Sequence, residues 1–344
     1  MTNKTSTLSP PDRLITLRNA HDMSLTISER GAALVSWLAP DRYGRMADVL
    51  LGYPDAQAYH GNPDYFGAVI GRWANRIAFG RFTLDGETCQ LLTNDRGHHL
   101  HGGPGGFHQA HWQASEDAGG AMFKLAARAG EGGFPGNLEV RVRYRLADDG
   151  SLSINYEAET DAPTPLNLTV HPYFNLNGGS ADVGDHMLQI EADSYIEIDG
   201  HGIPTGVAGV GGTAFDFRHP AAIGARLEWP DAQIGQAGGF DHCFCVRAHG
   251  KGRPGALREV ARVYDPGSGR QLQVSTTEAG LQFYSGNALD GVRGRAARPY
   301  ARHDGFCLEA HAYPDQLNGP HAANVILRPG QLYRQTTVYR LGVQ

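Results

Sequence analysis

Residues 140–158 read VRVRYRLADDGSLSINYEA. Val140, Val142, Tyr144 and Leu146 are apolar, and Arg141, Arg143 and Arg145 between them are charged, the period of two that gives a strand one buried face. Leu152, Ile154, Tyr156 and Ala158 repeat the pattern. Asp148-Asp149-Gly150 between the runs tolerates positive φ, so the pair reads as an antiparallel hairpin. The same signature joins Arg81–Leu84 to Thr88–Leu91 through Asp85-Gly86. Further strands are predicted at Leu14–Leu17, Leu25–Ser28, Leu188–Glu191, Tyr195–Ile198, Leu272–Ser275 and Thr336–Tyr339. Long stripes of 3.6-residue period are scarce; the helical candidates are one or two turns, at Pro54–Tyr59 and near Ala221–Trp229.

The chain has 46 glycines and 19 prolines among 344 residues, well above the usual combined share of about 12%, which implies many turns and short elements. The expected class is all-β, a sandwich with few short helices. No linker, charge block or repeat divides it, so residues 13–344 are expected to form a single domain after a flexible tail at 1–12. With 30 Lys+Arg against 36 Asp+Glu the net charge is −6, and no basic run interleaves with aromatics, which argues against nucleic acid. No apolar run approaches the ~18 residues of a membrane helix, and Met1–Asp12 has neither a signal-peptide core nor an Arg-rich transit pattern. Cys89, Cys243, Cys245 and Cys307 are too sparse for a disulfide framework and are expected as free thiols in the cytosol.

A G-x-S-x-G elbow, a P-loop, a dinucleotide fingerprint and H-E-x-x-H are all absent. His242, Cys243 and Cys245 lack a second ligand pair, so no metal is expected. Five segments instead embed polar groups in apolar surroundings, where burial is costly without a partner or a task. They are Gly71–Ile77 with Arg72, Asn75 and Arg76; His98–Gly103; Asn167–Asn175 with His171 and Tyr173; Gly239–His242 with Asp241, followed by Gln282; and Phe306–Ala310, which holds Glu309 inside an apolar strand. Each has a bland reading beside the functional one, such as a salt-bridged corner for the arginines or a turn cap for Asp241.

Taken together, these stretches resemble the aldose 1-epimerase (galactose mutarotase) family. The matching segments are GAVIGRWANRIAFGRFTLDG at 67–86, LHGG at 100–103, LNLTVHPYFNL at 166–176, IPTG at 203–206, GTAFDF at 212–217, FDHCF at 240–244, LQFYSGN at 281–287, DGFCLEAHAYPD at 304–315 and ILRPGQLYRQTTVY at 326–339. The resemblance implies a large antiparallel β-supersandwich and interconversion of the anomers of a free aldose such as D-galactose or D-glucose. By it, Glu309 is the general base, His171 the general acid, and Asn75, Arg76, His101, Tyr173, Asp241 and Gln282 bind the sugar. Neither metal nor organic cofactor is implied, and monomer and homodimer both stay open. Two departures stand out: Pro172 where many relatives have Ser or Thr, and His311 two residues after the base, on the same strand face, where relatives commonly have Gln. His98, His99 and His108 are read as solvated imidazoles of a polar loop. Three alternatives remain in view: a carbohydrate-binding protein without catalysis, a glycoside hydrolase using Glu309 and Asp241, and an enzyme for hexose 6-phosphates, for which only Arg72 and Arg76 are at hand.

Overall fold

The hairpin around residues 140–158 supplies the third and fourth strands of the largest sheet. In the computed structural model, which describes residues 12–247, 255–295 and 298–344, Leu138–Leu146 pairs with Ser151–Thr160 from Leu138 opposite Thr160 to Leu146 opposite Leu152. Val140, Val142, Tyr144, Leu152, Ile154, Tyr156 and Ala158 are all buried, so the period-two pattern faces one core. At the turn Gly150 adopts φ 79°, and a Cβ there would run into the Leu341 carbonyl, so only glycine closes this hairpin without strain.

The hairpin sits in a nine-stranded sheet whose spatial order is Gln113–Asp117, Gly120–Ala127, Leu138–Leu146, Ser151–Thr160, Tyr333–Val343, Arg270–Thr276, Arg258–Tyr264, Met187–Ile190 and Ala221–Ala222. A five-stranded sheet, Pro204–Gly209, Ala192–Ile198, Asp241–Val246, Gly280–Tyr284 and Cys307–His311 in that order, forms the second layer. Side chains of both interdigitate in one apolar cluster, with Ile154, Leu272, Val274 and Tyr339 from the first and Phe244, Leu281, Phe283, Leu308 and Ala310 from the second. The layers are also hydrogen-bonded: the Tyr339 hydroxyl donates to the Leu308 carbonyl at 2.8 Å and the Gln335 amide to the Ala310 carbonyl at 3.0 Å. A four-stranded sheet from Leu14–Arg18 to Met46–Asp48 packs on the same core. The expected all-β sandwich is therefore what the structure holds.

The helical candidates are short, as expected. Ala56–His60 is a 3₁₀ turn capped by the Asp55 carboxylate, and Ile223–Leu227 is a single α-helical stretch. A helix at Ala232–Ala237, capped by Asp231, carried too few apolar positions to be seen. The flexible tail expected over 1–12 lies, for residues 1–11, outside the described residues. Asp12 is a correction to it: its carboxylate is buried and meets Arg30, His60 and His111. No helix among the described residues is long and apolar enough to cross a membrane.

Candidate active site

The five-stranded sheet has two unlike faces. Phe244, Leu281, Phe283, Leu308 and Ala310 point into the core, so alternation sends their neighbours to the other side. Register then builds a three-by-three array: Asp241 opposite Tyr284 and Tyr284 opposite Cys307; Cys243 opposite Gln282 and Gln282 opposite Glu309; Cys245 opposite Gly280 and Gly280 opposite His311. Three of these nine residues, Asp241, Gln282 and Glu309, are the polar groups singled out from the sequence.

Loops from the preceding half of the chain cover this array and close a cavity of about 200 Å³. All eight residues expected at the site line it: Asn75, Arg76, His101, His171, Tyr173, Asp241, Gln282 and Glu309. At its floor His171 Nε2 lies 3.5 Å from Glu309 Oε1. Across the cavity Arg76 bonds Asp95 at 2.8 Å and reaches Asp241 at 3.6 Å, while the Gln282 amide donates to Asp241 at 2.7 Å. Gln282 Oε1 and Glu309 Oε2 are buried with no hydrogen-bond partner in the protein. Orphaned acceptors of this kind cost about 1–3 kcal/mol each and suit a ligand rich in hydroxyl donors.

Backbone strain holds several of these groups. Tyr65, Asn75 and His101 sit at φ 60°, 65° and 53°, a left-handed region disfavoured for side-chain-bearing residues and concentrated at functional sites. The two loops carrying Asn75 and His101 fasten to each other: the Asn75 N–H donates to His101 Nδ1 at 3.2 Å and the His101 N–H to the Asn75 carbonyl at 3.3 Å. With Nδ1 an acceptor, the proton of neutral His101 is on Nε2. That tautomer bears on metal binding. His101, His171 and Glu309 bring one ligand atom each within 4.8 Å of one another, but a protonated Nε2 is no ligand, and two donors alone make a poor site.

Burial dominates the titration of the pair at the floor. It lifts the Glu309 carboxyl well above the usual range, with the nearby negative charge of Asp241 acting in the same direction. It pushes His171 down to about 4, against the raising effects of its own backbone carbonyl and of Asp241. His101 is lowered by burial and by neighbouring His171 and Arg76. Burial thus disfavours the charged form of both groups, and because they touch they gain and lose protons as a pair.

The structure corrects three expectations. Arg72 is not a site cation: it is 2% exposed and turns away to the carbonyls of Pro135, Gly136 and Arg128 and the Thr164 hydroxyl. The histidines read as solvated are buried, His98, His99 and His108 alike, because Phe79 and His201 cover His98, Phe134 covers His99 and Tyr65 covers His108. His311 shares the Glu309 face as expected, yet it does not line the cavity; its Nδ1 lies 2.6 Å from the Ala312 carbonyl, one rung deeper. Pro63, Asp64, Tyr65 and Ala288, outside the segments singled out from the sequence, and Leu100 and Tyr284, inside them but given no role, complete the wall. Tyr65 covers the imidazoles, with ring centroids 4.7 Å from His101 and 5.8 Å from His171.

The chain is similar to known proteins along nearly its whole length. The family model for aldose 1-epimerase matches residues 13–340. A galactose mutarotase of Bos taurus is 44% identical over 316 residues, 91% of this chain and 89% of that protein. An aldose 1-epimerase of Escherichia coli (strain K12) is 42% identical over 347 residues, 99% of each. Among solved structures, an aldose epimerase homologue from C. elegans superposes with a TM-score of 0.87 at 28% identity, over 96% of this chain and 99% of that one. A galactose 1-epimerase from Lactobacillus acidophilus gives 0.84 at 29%, over 96% and 95%.

Proposed function

Because the chain belongs to the aldose 1-epimerase family, an isomerase family interconverting the α and β anomers of free aldoses, we propose that Glu309 and His171 perform this reaction as a coupled proton donor and acceptor. The observation that carries the reading is their 3.5 Å contact at the cavity floor. Glu309 takes the proton of the anomeric hydroxyl; the C1–ring-oxygen bond breaks, its electron pair going to the ring oxygen, which takes the proton of His171 Nε2. The sugar is now an open aldehyde. Rotation about C1–C2 presents the other carbonyl face, the C5 hydroxyl (in a pyranose) attacks it, and both protons return. Each positioned transfer is typically worth 10²–10⁴-fold.

The electrostatics favour this division of labour. Ring opening converts a charged pair, carboxylate and imidazolium, into a neutral one. Burial stabilises the neutral pair, as the upward displacement of Glu309 and downward displacement of His171 record. Once the charged pair has formed against the bound sugar, both proton transfers therefore run toward the uncharged pair that burial favours.

Arg76, Asp241, Gln282, Asn75, His101 and Tyr173 are proposed to orient the sugar, since guanidinium, carboxylate and amide groups together satisfy hydroxyls that both donate and accept. Among the described residues Arg76 is the one arginine in the cavity lining, which disfavours a phosphorylated hexose. Asp241 is already engaged by Gln282 and Arg76, which disfavours it as the second carboxylate of a glycoside hydrolase. Residues 13–344 are read as a single domain on the continuity of the apolar cluster between the sheets. A reducing compartment such as the cytosol suits its four free cysteines.

The test is polarimetry of freshly dissolved α-D-galactose and α-D-glucose in a weakly catalysing buffer. Wild type is expected to speed relaxation far beyond buffer and Glu309→Gln to lose that acceleration with the fold intact. An active Glu309→Gln would overturn the assignment of the base.

A further inference from the structure

His171 is gripped on both nitrogens by one strand. Its Nε2 faces Glu309 Oε1 at 3.5 Å, and its Nδ1 lies 3.5 Å from the Sγ of Cys307. Cys307 and Glu309 are two residues apart on Cys307–His311 and share a face, so the imidazole bridges one repeat of the pleat. Cys307, Glu309 and His171 are 0%, 2% and 5% exposed, and Tyr173 packs against the His171 ring at 5.0 Å between centroids. The mechanism above uses only the Nε2 side.

We infer that Cys307 is a positioning residue for the proton-donating histidine: its thiol holds the Nδ1 edge, fixing the ring plane so that Nε2 stays beside Glu309 and aimed at the substrate above the pair. The inference rests on the acid–base reading of His171 and Glu309. Sulfur is a weak hydrogen-bond partner. A carboxylate in the same place would hold the imidazolium charged and make it a poor donor, whereas a thiol fixes direction without binding the proton. Burial keeps Cys307 protonated, its pKa well above the ordinary thiol range. The remaining groups around His171 are Glu309, Asp241, His101, His108, His311, Tyr65, Tyr173 and Tyr284. Of these, only Asp241 and Glu309 are carboxylic acids.

The experiment compares Cys307→Val, which keeps an apolar filler without the hydrogen bond, Cys307→Ser, which keeps a hydroxyl in its place, and Cys307→Asp, with melting curves to establish folding. In steady-state mutarotation of α-D-galactose, Cys307→Val is expected to lower kcat about tenfold with KM within about twofold, the signature of misorientation rather than lost binding. Cys307→Ser is expected to recover most of that loss. Cys307→Asp, if folded, is expected to move the acid limb of the pH–rate profile upward by about one unit or more, because a carboxylate beside Nδ1 favours the imidazolium. A folded Cys307→Val with wild-type kcat, or a Cys307→Ser as impaired as the valine variant, overturns the inference. His171→Asn separates the two levels: if it stays active, the acid assignment falls; if it is inactive while Cys307→Val matches wild type, the positioning role alone falls.

Discussion

Lowering the pH from 7 to 5 is expected to destabilise the fold severely, because the core holds many neutral histidines. His99, His108, His171, His186, His242 and His311 are each at most 5% exposed and each pushed by burial to about 4. In the unfolded chain an imidazole titrates near 6.5. The unfolded state thus takes up protons first as pH falls, so the stability is fully present above about 6.5 and is lost as pH drops toward 4. A group displaced this far loses about 2 kcal/mol between pH 7 and 5. Six of them reach the whole 5–15 kcal/mol margin of an ordinary protein. Glu278, raised by burial to about 7, has the opposite sign and offsets about 2 kcal/mol, and Glu309 acts in the same sense. Urea unfolding followed by tryptophan fluorescence, reporting on buried Trp37, Trp73 and Trp112, is expected to give a much lower unfolding free energy at pH 5 than at pH 7, with Tm lower by about 10 °C or more. An unfolding free energy equal within about 2 kcal/mol at the two pH values would refute the reasoning.

The pH dependence of kcat/KM, from initial rates after a rapid pH jump, should be broad: its acid limb falls near 4, where His171 gains a proton, and its alkaline limb lies well above the carboxylate range, where Glu309 gives one up. An acid limb at the ordinary imidazole value would oppose this. Arg76→Ala removes the partner of both Asp95 and Asp241 and is expected to raise KM by about 10–100-fold, as loss of a charge-assisted hydrogen bond does, with kcat changed less. Arg72→Lys cannot reproduce the fork that meets Pro135, Gly136, Arg128 and Thr164, and should lower stability by about 2–3 kcal/mol in urea titration.

The strands around residues 140–158 were legible because a half-buried sheet writes its faces into alternate residues. Gly120–Ala127, reading GAMFKLAA, was not, since glycine and alanine carry little strand preference and the pairing with Leu138–Leu146 decides it. The eight expected site residues came from motif resemblance, and isolated polar groups within apolar stretches were the physical trace of it. Tyr65 left no such trace, as an aromatic in a turn looks like packing, and Tyr284, though beside Gln282 in a matching stretch, read as packing too. Nor could the burial of His98, His99 and His108 be read locally, because the rings that cover them, Phe79, His201, Phe134 and Tyr65, come from elsewhere in the chain.

The left-handed backbone at Tyr65, Asn75 and His101 sets this protein's two kinds of fitness against each other. Glycine at any of these positions would release roughly 1–3 kcal/mol of conformational strain and would remove a side chain that shapes the cavity. A laboratory lineage screened only for survival of heat would drift toward those glycines and become durable and inert. One screened for turnover must keep them out, because the side chains of all three line the cavity.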